Sequence, residues 1–165
     1  MFTKRCSSFS QVLQVAFALW ASAAVVAQPV GPNTKPIELQ GTSLSGANFD
    51  LAKSRGKVVL VFFWSTNCGV CLSAMPELRL NQAGWRGKPF ELVTVNVDAN
   101  MADWKSYEKI AAVTQTQALT AIWTGKPLSQ RLPLTLVLDT KGRVVARHEG
   151  RVAPEAWDEV AEILP

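Results

Sequence analysis

Hydrophobic and polar positions fall into four runs with distinct periods. Val58 to Trp64 is an unbroken apolar stretch, β-branched and aromatic, the pattern of a strand buried on both faces. Ser65, Thr66 and Asn67 follow as N-cap residues, and Val70, Leu72, Met75, Leu78 and Leu80 then allow a helix to about Ala83, with Pro76 inside it to kink or divide it. Phe90 to Val97 is a second strand, and Asp98 to Asn100 opens a helix from about Met101 to Val113. This strand, helix, strand, helix order predicts parallel strands joined by a crossover.

The later part has a different rhythm. Leu134 to Leu138 reads as a third strand, Asp139 to Gly142 as a turn, and Arg143 to His148 as its antiparallel partner. Pro154 opens a last helix, with Ala156, Trp157, Val160, Ile163 and Leu164 on one face. Residues 37–57 suggest a short opening hairpin, and Ala118 to Trp123 a short extended piece of no evident role. Together the elements describe an α/β three-layer sandwich, a mixed central sheet with helices on both faces.

The N-terminal region follows another logic. Lys4 and Arg5 precede an uncharged apolar run from Phe9 to Val26, and small residues end at Ala27. That is the order of a secretory signal peptide, residues 1–27, with a retained membrane anchor as the competing reading and thus a possible tether. Residues 28–36, with Pro29, Pro32 and Pro36, form a linker, and a single domain occupies 37–165. Of the formal net charge of +4, Lys4 and Arg5 supply two, so the basic balance does not argue for a nucleic-acid partner. The expected location is the periplasm.

Cys6 would leave with the signal, so the mature chain keeps two cysteines, Cys68 and Cys71, in one Cys-Gly-Val-Cys motif. A bridge across two intervening residues closes too small a loop to staple a fold, so redox chemistry explains the pair better. Cys68 at a helix start faces unpaired N–H groups and the positive dipole end, which favours a nucleophilic thiolate; Cys71, one turn on, is placed to resolve a mixed disulfide. Zinc would need four ligands, and only His148 could join the two cysteines, so no metal site and no cofactor are expected. Two alternatives remain: a Cu(I) metallochaperone using Cys68, Cys71 and His148, and a thiol peroxidase. The peroxidase reading has Ser65 three residues before Cys68 but Val61 where its motif wants proline. Pro133, before the third strand, marks a loop facing the dithiol, where the backbone of Leu132 could pair with an extended substrate; Trp64 would help wall the site.

Phe63-Trp64-Ser65-Thr66-Asn67-Cys68-Gly69-Val70-Cys71 with Pro76, then Val95-Asn96-Val97-Asp98, Leu132-Pro133-Leu134-Thr135 running into Leu138-Asp139, and Gly142 and Gly150, resemble the TlpA/ResA/CcmG group of bacterial envelope thioredoxin-like proteins. The resemblance covers about residues 37–164. It implies a thioredoxin fold, a cis proline at Pro133, and a thiol-disulfide oxidoreductase that reduces cysteine pairs of envelope proteins, of the cytochrome c maturation or copper-site assembly type. A membrane thiol carrier would be its electron donor. Asn67 stands where members often carry Trp, and Ala74 where many carry Glu.

Overall fold

The computed structural model describes residues 35–116 and 118–165. The signal-like run and nearly all of the proline-rich linker lie outside them. Among the described residues, no helix is long and apolar enough to cross a membrane.

The strands are β1 (Gln40–Ser43), β2 (Asn48–Asp50), β3 (Val58–Trp64), β4 (Phe90–Asn96), β5 (Thr120–Trp123), β6 (Leu134–Leu138) and β7 (Val144–Glu149). The helices are α1 (Gly69–Gly84), α2 (Met101–Thr114) and α3 (Pro154–Ile163), with a 3₁₀ turn at Leu51–Ser54. All seven strands join one sheet in the order β2-β1-β5-β4-β3-β6-β7. β3, β4 and β5 are parallel, linked through α1 and α2, while β6 and β7 add an antiparallel hairpin beside β3. The opening hairpin is β1 and β2, and β1 pairs antiparallel with β5. The extended piece at Ala118–Trp123 thus gains a role: it bridges the hairpin to the central sheet.

Every residue of β3 is buried. Its side chains alternate across the sheet, as the pleat requires. Val58, Leu60, Phe62 and Trp64 meet Cys71, Ala74, Met75 and Leu78 of α1, Trp104 of α2, and Ala156 and Val160 of α3. Val59, Val61 and Phe63 join Val93, Val95, Leu134, Leu136 and Leu138 in the second cluster. There the described helical cover is the 3₁₀ turn, through Leu51, while all three α-helices contribute to the first cluster. Burial of each large apolar side chain is worth roughly 1.5–3 kcal/mol, which makes this strand the anchor of the fold.

Two local expectations need correction. The N-cap of α1 is Cys68 itself, its Sγ accepting from Cys71 N–H at 3.1 Å, not one of Ser65, Thr66 and Asn67. Pro76 does not divide α1, which runs unbroken to Gly84. The cap of α2 is Asn100, whose side chain accepts from Ala102 N–H at 2.9 Å.

Candidate active site

The dithiol sits where the buried strand β3 gives way to α1. Apolar residues run out at Trp64, the polar Ser65-Thr66-Asn67 turn exposes the chain, and the helix begins directly after Cys68. Cys68 and Cys71 are joined in a disulfide with Cα atoms 5.2 Å apart. Their environments differ. Cys68 is half-buried beside exposed Asn67, Gly69 and Val70, whereas Cys71 is fully buried in the core cluster.

Register brings the second predicted feature to the same edge. Phe63 pairs with Leu134, so Pro133 lies level with Trp64, at the end of the sheet from which the Cys68 turn emerges. The Leu132–Pro133 peptide bond is cis. Pro133 O accepts from Gly150 N–H at 2.8 Å, tying this loop to the end of β7. Ser129 donates to Glu149 Oε1 at 2.9 Å and accepts from Arg131 N–H at 3.1 Å, which holds the approach to the loop. The Glu149 carboxyl lies below its ordinary range, owing first to Arg147 and then to Ser129. Leu132 is half-buried, and among the described residues its backbone enters no hydrogen bond.

Trp64 lies beneath the site. It is fully buried, shares the cluster of Cys71, and packs edge-on against Tyr107 with ring centroids 4.7 Å apart. His148 is remote in bonding terms: its Nε2 lies 2.8 Å from Glu159 Oε2, joining β7 to α3. Among the described residues, no group of three or more His, Cys, Asp or Glu side chains could hold a metal.

Asp98 is the residue whose place the sequence reading did not single out. It does not start α2; it braces the turn before Cys68. Its carboxylate accepts from Thr66 N–H at 3.1 and 3.2 Å and from Asn96 Nδ2 at 3.0 Å. Its N–H donates to Asn96 Oδ1 at 3.0 Å, and its carbonyl accepts from Trp123 Nε1 at 2.7 Å. Burial pushes its carboxyl up, but hydrogen bonds from Ser65, Asn96 and Thr66 outweigh this and hold it below the ordinary value. The available signal was Asn96 and Asp98, polar residues on either side of Val97 that close an apolar strand at the sheet edge that carries Cys68.

Residues 26–164 match the Redoxin family. The chain belongs to that family. This redoxin is a thioredoxin-like oxidoreductase with a disulfide-forming cysteine pair. It is 28% identical over 128 residues to the thioredoxin-like protein YneN of Bacillus subtilis, covering 73% of each chain. Its fold is similar to that of a thiol:disulfide interchange protein of the thioredoxin family from Chlorobium tepidum, with TM-score 0.65, 22% identity, and coverage of 82% of this chain and 100% of that one. It is also similar to the exposed lipoprotein thioredoxin of Streptococcus pneumoniae, with TM-score 0.63, 20% identity, and coverage of 76% and 99%. These likenesses confirm the α/β thioredoxin-like fold.

Proposed function

We propose that this redoxin is an exported thiol-disulfide oxidoreductase that reduces disulfides of envelope proteins, of the cytochrome c maturation or copper-site assembly type, through a Cys68/Cys71 cycle. The observation that carries the reading is the asymmetry of the pair: Cys68 is partly exposed at a helix start, and Cys71 is buried behind it. In the reduced protein, the Cys71 N–H directed at Cys68 Sγ and the positive end of α1 favour the Cys68 thiolate.

The cycle follows from that placement. The Cys68 thiolate attacks one sulfur of a substrate disulfide, forming a mixed disulfide and expelling the other sulfur as a thiolate. Cys71, deprotonated, attacks Cys68 Sγ; the Cys68–Cys71 disulfide closes and the second substrate sulfur leaves as thiolate. Two electrons have passed to the substrate, whose thiolates take protons from solvent. A membrane thiol carrier then reduces the enzyme disulfide by the same exchange in reverse. The backbone of Leu132 beside Pro133, which enters no hydrogen bond among the described residues, offers an edge to which an extended substrate segment pairs by strand addition. Trp64 supports the dithiol from below through the shared cluster.

Export rests on the order of basic, apolar and small residues in positions 4–27. The pneumococcal neighbour, an exposed lipoprotein thioredoxin, is in keeping with it.

Insulin-disulfide reduction driven by dithiothreitol tests the chemistry. Cys68→Ser is expected to reduce the rate to the uncatalysed background, and activity unchanged from the parent would refute the assignment. Direction is read from the reduction potential against glutathione. A value well below the glutathione couple is expected, whereas one near the roughly −120 mV of the strong periplasmic oxidants would make the protein an oxidase.

A further inference from the structure

Away from the dithiol, α1 and α2 enclose a second polar centre. Arg79 lies on α1 and is 8% exposed, and its Nη1 has no hydrogen-bond partner. Tyr107 of α2 lies close enough to hydrogen-bond to it and Glu108 of α2 faces its charge, but no ion pair within 4 Å joins Arg79 to a carboxylate among the described residues. A buried guanidinium with incomplete pairing is costly unless something completes it.

The surroundings are built to admit a ligand. Arg79 borders a cleft of about 470 Å³ that extends past Phe49, Leu119 and Ile122 to the β1–β2 hairpin. That volume lies within the range of roughly 300–1,000 Å³ usual for small-molecule sites. Two adjoining hollows also reach Arg79, one of about 160 Å³ between α1 and α2 and one of about 310 Å³ between α1 and the residues that follow α2. Leu44, Leu80 and Ile110, large and exposed, edge these openings.

We propose that the cleft over Arg79 binds a small amphiphilic monocarboxylate of the medium-chain fatty-acid class, its carboxylate on the guanidinium and its apolar body against Phe49 and Leu119. One charged donor in an apolar wall suits a single carboxylate. A phosphate dianion would call for several donors and would carry twice the charge towards Glu108, whose Oε1 accepts from Trp104 Nε1 at 3.2 Å and which a single carboxylate also has to tolerate. The site is separate from Cys68 and Cys71 and does not depend on the role assigned to them.

Calorimetric titration of the full chain with decanoate, and with decan-1-ol as the uncharged control, tests the proposal. Decanoate is expected to saturate one site and to bind about tenfold more tightly than the alcohol, the range of a hydrogen bond to a charged group. Arg79→Met keeps an apolar stem, and should erase that preference. Glu108→Gln, by removing the competing carboxylate, should tighten decanoate binding. Ala112→Trp, at an exposed position lining the cleft, should block both ligands. Insulin-disulfide reduction should be unchanged in all three variants. Equal affinity for decanoate and decan-1-ol, or no saturable binding, would overturn the proposal, as would a folded Arg79→Met protein that keeps the preference. Should Arg79→Met fail to fold, unchanged decanoate affinity in Ala112→Trp would overturn it equally.

Discussion

Replacing Asp98 with asparagine keeps the volume of the side chain but removes the charge toward which Thr66 N–H and the Asn96 amide point. The loss is expected to be about 1.5–3 kcal/mol, the range for hydrogen bonds to a charged acceptor. Because the folded protein holds this carboxyl below 3.8, the carboxylate favours the folded state. Its contribution is complete above the unfolded value and disappears as pH falls through the lower folded one. Urea midpoints of parent and Asp98→Asn should therefore differ at pH 7 and converge as pH drops below 3.8; a gap independent of pH would contradict the assignment. The same residue marks a limit of sequence reading. Asp98 looks like a helix opener because it follows a strand and precedes a helix, and only the register of β4 against β3 reveals that it reaches the Thr66 turn. Cys68 misled in the opposite way: a thiol is a poor candidate for a cap by residue type, so Ser65, Thr66 and Asn67 drew the assignment, yet Cys68 is the residue at the boundary.

At the level of elements, legibility followed apolar density. β3, β4 and β6 are buried runs whose positions could be read directly from the chain, as could the parallel direction of β3 and β4, whereas the antiparallel pairing of β6 with β3 emerges only from the sheet. β5 could not be assigned a role, because four residues with only Ile122 fully buried carry little period, and its pairing with β1 and β4 is non-local. Leu78, fully buried where α1 meets the sheet, tests the packing of the dithiol helix. Leu78→Ala should cost about 2–5 kcal/mol by urea unfolding, and a loss within error of zero would place α1 outside the cooperative core. Gly125 tests the segment after β5. Its φ is +64°, and an added Cβ would come within 2.5 Å of the Trp123 ring. Gly125→Ala should cost at least about 1–2 kcal/mol and disturb the bond from Trp123 Nε1 to Asp98 O, visible as changed tryptophan fluorescence. An unaltered spectrum with parental stability would argue against that coupling.

Across the whole molecule, three loops distant in sequence converge because the sheet order places β3 between β4 and β6. Cys68 leaves the end of β3, Asp98 follows β4, and Pro133 precedes β6, so three loops share one edge of the sheet. The Cys-x-x-Cys pair and Pro133 were legible as motifs. The brace by Asp98 and the cleft over Arg79 were not, since both depend on contacts between separate elements. The central claim is that Cys68 attacks a substrate disulfide and Cys71 resolves it. The most direct measurement is peptide mapping, by mass spectrometry, of reduced Cys71→Ser protein after incubation with insulin. The account predicts a stable mixed disulfide between an insulin cysteine and Cys68, absent when Cys68 is also replaced by serine. No covalent adduct, or one that persists in the double variant, would contradict it.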